Sequence, residues 1–186
     1  MIFPIKYKCI VNNEFSIGNY KIAPLRFNDR SDIMQWRNDQ IIFLRQSELL
    51  TDDRQYKYFD KILRLHFDED TPNQLLFSFF ENDKLIGYGG LVHVDWKSKN
   101  AEISFILKTD LNDEDQYFEK FTVYLQLIST LAKEIPIHKI YTYGYDLSEY
   151  RFKPLIAESF ILEARLKQHK KLKHKLHDVL IYSKIL

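Results

Sequence analysis

The chain has 186 residues, with 27 Lys and Arg against 26 Asp and Glu, and a formal net charge of +1 excludes the imbalance of an obligate nucleic-acid or polybasic membrane binder. At 45% hydrophobic and 28% charged it is neither disordered nor collagen-like. With 14 Phe, 12 Tyr and only 5 Gly, its core should be rich in aromatic rings.

The single cysteine, Cys9, forbids an intramolecular disulfide. The opening MIFPIKYKCIVNNEF lacks an apolar signal core, and no apolar run approaches the roughly 18 residues that span a bilayer, so a cytoplasmic, soluble protein is expected. No linker or repeat divides the chain, which reads as one domain over 1–186 with residues 1–19 as an amino-terminal hairpin extension.

In chain order, Tyr7 to Val11 and Tyr20 to Arg26 read as short extended segments around the turn chemistry of Asn12-Asn13-Glu14. Asp29 or Ser31 can cap a short helix through Ile33, Met34 and Trp36, and Thr51-Asp52-Asp53 opens another whose apolar face is Tyr56, Phe59, Ile62 and Leu63. Gln74 to Glu81, Lys84 to Asp95 and Asn100 to Lys108 follow as three strands joined by short turns, an antiparallel meander. From Asn112 the period changes to near 3.6, with Tyr117, Phe121, Tyr124, Ile128, Leu131 and Ile135 on one face, until Pro136 ends the helix. His138 to Tyr145 is a strand, Leu147 to Glu158 a helix interrupted by Pro154, and Ile161 to Gln168 with Leu176 to Ile185 a closing hairpin.

This order, with MQWRND at Met34 to Asp39, LIGYGGL at Leu85 to Leu91, AEISFIL at Ala101 to Leu107 and ESFILEARL at Glu158 to Leu166, resembles the GNAT N-acetyltransferase superfamily over residues 20 to 186. The likeness is to its bacterial branch that acetylates ribosomal proteins, amino sugars or antibiotics. It implies an α+β, three-layer fold: a mixed, mostly antiparallel twisted sheet with helices on both faces. It also implies transfer of an acetyl group from acetyl-CoA, as cosubstrate, to a primary amine of a small molecule, an amino sugar or a protein terminus. The cleft would lie where the fourth core strand splays from the next.

The resemblance also suggests site residues. Glu102 matches a glutamate that family members use as general base, and alternation puts it on one strand face with Ser104 and Ile106. That role requires partial burial to raise its pKa. The family's usual tyrosine acid is missing, since Leu155 falls at its place. Tyr145 and Tyr150 are substitutes, Tyr150 preferred because it starts the following helix. Backbone groups over Phe105, Ile106, Leu107 and Lys108 would bind the cofactor and stabilise an oxyanion. Trp36 and Arg37 could line the acceptor pocket, the arginine suiting a carboxylate or phosphate. Gly89, with Gly87 and Gly90 in one strand, hints at close approach to a ligand. The opposing readings are structural: Glu102 an exposed strand residue, Trp36 in the core, the tyrosines packing groups.

One segment departs from the family. A glycine loop, Gln/Arg-x-x-Gly-x-Gly/Ala, usually follows the fourth strand and cradles the pyrophosphate. Here Lys108 to Gln116 holds no glycine and four carboxylates, Asp110, Asp113, Glu114 and Asp115. Either these acids are ordinary helix capping, or the phosphate site is relocated or reshaped. A non-catalytic binding or assembly module on the same fold is therefore the alternative, its aromatic surplus suiting a homodimer face. His169, His174, His177 and Asp178 match no zinc signature, so no metal is expected. The basic hairpin Arg165 to Lys175 reads as a solvated turn, with phosphate or RNA contact as the lesser use.

Overall fold

A computed structural model describes residues 3–186. Eight strands, β1 (Phe15–Ile17), β2 (Tyr20–Pro24), β3 (Gln74–Glu81), β4 (Lys84–Asp95), β5 (Asn100–Leu107), β6 (Lys139–Tyr145), β7 (Ile161–Leu172) and β8 (Lys175–Ile185), form one sheet in the order β1-β2-β3-β4-β5-β6-β8-β7. Every neighbouring pair is antiparallel except β5 with β6. The β3–β4 turn works because Asn82 and Asp83 both accept positive φ, at 47° and 60°.

The central strands are buried residue after residue rather than alternately, as a sheet covered on both faces requires. On one face α4 (Glu114–Glu134) lays Phe121 and Tyr124 against Phe105 of β5, at ring separations of 4.6 and 4.4 Å, and Tyr124 meets Phe79 of β3 at 5.3 Å. Asp113 caps this helix by accepting from the Gln116 N–H at 3.0 Å. On the other face lie α1 (Arg30–Asp39) and α2 (Asp52–Tyr58), the latter capped by Thr51. Arg37 of α1 donates to the Tyr88 hydroxyl at 2.7 Å, and Tyr58 of α2 donates to Gln74 at 3.0 Å. Asp29, itself buried, receives the Ser78 hydroxyl at 2.5 Å and the Arg26 guanidinium, anchoring the start of α1 to β3.

Three expected elements come out differently. Tyr7 to Val11 is not a strand: Tyr7 is a plug, its ring stacked on Phe67 at 4.1 Å and its hydroxyl bonded to both the N–H and the carbonyl of Leu76. The hairpin is instead β1–β2. After α2 the helix widens into a π turn over Phe59–Leu63 before α3 (Arg64–His66). That change of phase buries Phe59 and Leu63 and leaves Tyr56 and Ile62 about half exposed, splitting the face the 3.6 period predicted. Between β6 and β7, Pro154 starts rather than interrupts a helix: a 3₁₀ turn over Glu149–Phe152 leads into the short α5 (Lys153–Ala157), with proline in its first turn.

The aromatic core has a consequence at high pH. Burial pushes the Tyr58 and Tyr117 phenols up to about 12, and burial also raises Tyr7, Tyr20 and Tyr124. In the unfolded chain these groups ionise near pH 10. Above that pH the unfolded state binds fewer protons than the folded one, so stability falls as pH rises toward 12. Melting temperatures measured from pH 8 to 11 should be level at first and then decline; a level profile throughout would contradict this burial.

Candidate functional site

The parallel pairing of β5 with β6 lasts only three residues, Asn100 to Glu102 opposite Lys139 to Tyr141, after which β6 continues beside β8 and β5 beside β4. The two strands part at Glu102. Lys139 N–H bonds the Lys99 carbonyl toward β6, and Lys108 N–H bonds the Ile86 carbonyl toward β4, so odd-numbered residues of β5 face the β6 side. Ile103 and Phe105 therefore turn their backbone groups into the gap. The carbonyl of Leu107 is taken by the Gln40 side chain at 2.8 Å.

A narrow cavity of about 130 Å³ occupies this gap, lined by Ile103, Phe105 and Ile106 on one side and Thr142, Tyr143 and Tyr145 on the other, with Arg151 and Leu155 beyond. Among the described residues, two buried side-chain polar atoms have no hydrogen-bond partner, Thr142 Oγ1 and Arg151 Nε, and both residues line this cavity. Orphaned buried polar atoms are costly, and the amide or phosphate groups of a ligand are partners that would satisfy them. A pantetheine arm in this gap would meet Ile103, Phe105 and Thr142, with Arg151 beyond them.

A larger cavity of about 560 Å³ adjoins it on the α1–α2 face, sharing Phe43, Leu44, Ile103, Phe105, Tyr143 and Tyr145. Glu102 lies in this cavity wall and is only 7% exposed. Arg45 Nη2 donates to its Oε1, and the same guanidinium lies over the Tyr143 ring at 4.6 Å. His93 sits at φ +50° in the register irregularity of β4 between Val92 and Asp95, which swings its Nε2 to 4.0 Å from Glu102 Oε2. Arg37 enters the same cavity with neutral partners, the Tyr88 hydroxyl and Gln46 Oε1 at 3.0 Å.

The structure thus brings Glu102, Arg37, Phe105 and Ile106 to these adjoining cavities, and it places other expected residues elsewhere. Trp36 is buried in the core, and Leu107 is fully buried outside both linings. Lys108 pairs with Asp110 at 2.9 Å at the far end of the strand. Gly89 also lies outside both linings: a Cβ there would fall 2.0 Å from the Ser104 carbonyl oxygen and 2.5 Å from the Tyr124 hydroxyl, so its small size serves strand packing. Tyr150 is carried by the 3₁₀ turn toward the start of α4, where its hydroxyl donates to the Asn112 carbonyl at 3.1 Å. Leu155 does reach the gap, and Tyr145 lines both cavities, its hydroxyl 3.4 Å from the Leu44 carbonyl.

Sequence reasoning missed Arg45, His93, Tyr143 and Arg151. Arg45 stands in a segment without periodicity, and Arg151 in one broken by proline. Among the described residues no cluster of His, Cys, Asp and Glu could hold a metal ion, and no helix is long and apolar enough to cross a membrane. In the basic hairpin, Arg165 is tied to Asp146 at 2.6 Å and to Asp178 at 3.0 Å.

The splayed strands and the carboxylate at their parting can be compared with known proteins. No curated protein matches the chain by sequence. Among solved structures, the spermidine N-acetyltransferase from Vibrio cholerae, in complex with CoA and spermine, superimposes with a TM-score of 0.75 at 15% identity, covering 90% of this chain and 95% of that one. The acetyltransferase from Salmonella typhimurium that modifies the N-terminal serine of ribosomal protein L7/L12 gives 0.74 at 15%, covering 91% and 96%. The ribosomal-protein-S5-alanine acetyltransferase from Vibrio fischeri gives 0.70 at 16%, covering 94% and 97%. At such identities the likeness is one of fold. The sequence family described as the acetyltransferase (GNAT) domain matches residues 22–143, which run from β2 through the parting of β5 and β6, and with that match over most of its length the chain belongs to the GNAT family of N-acetyltransferases.

Proposed function

We propose that the protein transfers an acetyl group from acetyl-CoA to a primary amine, with Glu102 as the general base. The observation that carries this reading is the end of the β5–β6 pairing at Glu102, which sets a buried carboxylate where the narrow gap meets the wide cavity. Acetyl-CoA supplies an activated carbonyl when bound. Ile103 and Phe105 direct it with backbone groups, and the wide cavity admits the amine from the α1–α2 side. Glu102 takes a proton from the amine, directly or through water, as nitrogen bonds to the acetyl carbon and the carbon–sulfur bond breaks. The departing sulfur takes a proton from Tyr145, which lines both cavities, whereas Tyr150 lines neither. The acceptor belongs to the amines of small molecules, amino sugars or protein termini; the similar structures named above act on spermidine or on ribosomal proteins.

Calorimetric titration with acetyl-CoA tests the reading. Saturable binding with thiol release on addition of an amine is expected; no heat at millimolar ligand would remove the enzyme reading and leave a binding module on this fold.

A further inference from the structure

We propose that Arg151 is the cation that receives the diphosphate of coenzyme A, in place of backbone amides at the start of α4. The inference rests on the reading of the gap as a coenzyme A cleft. Acyl chemistry has to take place at Glu102, where the strands meet, so a long ligand leaves by the other end, where β5 finishes at Leu107 and the chain turns into α4.

That end is poorly suited to an anion except at one side chain. The segment from Lys108 to Gln116 carries four carboxylates and no glycine. Of the amides opening α4, that of Gln116 is already engaged by the Asp113 cap. Of the neighbouring cations, Lys108 is paired with Asp110 and Lys153 with Glu114. Arg151 forms no ion pair among the described residues. Its guanidinium lies over the ring of Phe43, at 3.9 Å, and over that of Tyr117, at 4.8 Å, with Nη2 at 3.4 Å from Asn112 Oδ1 and Nε buried without an acceptor.

A guanidinium cannot shed its proton to escape burial, so an unpaired one beside a cleft is a standing cost that an anion relieves. Contact with two aromatic rings restricts the fork, and a restricted fork suits the paired oxygens of a diphosphate. The carboxylates of 108–116 then cap α4 and pair with the lysines, and phosphate recognition has moved across the gap to the turn after β6.

The test is calorimetry on the full chain with three probes: coenzyme A, dephospho-coenzyme A, which keeps the diphosphate, and S-acetylpantetheine, which has no phosphate. Arg151→Met should weaken both coenzyme A species by at least tenfold and leave S-acetylpantetheine unchanged, with Arg151→Lys recovering part of the loss; melting temperatures report on folding. Equal affinity of parent and Arg151→Met for coenzyme A overturns the proposal while leaving the transferase reading in place. Loss confined to coenzyme A, with dephospho-coenzyme A unaffected, moves Arg151 to the 3′-phosphate and likewise overturns it. A parent chain that binds none of the three removes both readings.

Discussion

Glu102→Gln is expected to lower kcat by about 100-fold or more, with affinity for acetyl-CoA and melting temperature close to those of the parent chain. Glutamine keeps the volume of the side chain and one oxygen to accept from Arg45, so packing at the parting of β5 and β6 is preserved while the proton acceptor is lost. Arg45 is 46% exposed at its side chain, so it can be hydrated when its charged partner disappears. In the parent chain this guanidinium pairs with Glu102, and its exposure makes displacement by a substrate amine inexpensive. An unchanged rate would reassign the base. His93, whose imidazole approaches Glu102 from β4, is the nearest substitute, and His93→Gln would then show the loss. Tyr145→Phe should cost a smaller factor, about tenfold or more in kcat, whereas Tyr150→Phe should not, because Tyr150 lies outside both cavities.

What the sequence revealed and what it concealed follow from the range of the interactions involved. The β3–β4–β5 meander was readable because its turns carry their own chemistry at Asn82 and Asp83, and α4 because six apolar residues keep a strict 3.6 period up to Pro136. Glu102 was readable through the AEISFIL string. Its environment was not: Arg45 reaches it across 57 positions from residues 44–50, which lie outside helix and strand, and no local pattern announces such a contact. Tyr7 misled for a similar reason. Its segment alternates like a strand, yet its partners, Phe67 and Leu76, are some 60 and 69 positions away, and a ring plugging the core leaves the same hydropathy trace as a strand residue. His93 depends on one left-handed residue in a strand, a conformation that histidine does not advertise. Arg151 was hidden by the opposite effect, because its neighbourhood suggested a broken helix and drew attention to Tyr150.

Gly89→Ala separates the two readings of the glycine-rich strand, and a loss of stability of about 3 kcal/mol or more is expected, the upper range for overpacking. A methyl group there would meet the carbonyl oxygen of Ser104, which belongs to the neighbouring backbone and cannot rotate away, and the Tyr124 hydroxyl, which donates to that same oxygen at 3.1 Å. Tyr124 is fully buried against Phe79 and Phe105, so it has nowhere to move. For a chain of this size the cost corresponds to a fall of about 6 to 12 °C in melting temperature. A substrate-contact role for Gly89 predicts the reverse: a raised KM with melting unchanged. Adding Tyr124→Phe to Gly89→Ala removes the hydroxyl clash but not the carbonyl one, so the double variant should recover only part of the loss. Full recovery would place the strain on α4 alone. Partial recovery would locate it between β4 and β5, two residues from Glu102, so the residual activity of the folded double variant would report how far the base tolerates a displaced strand.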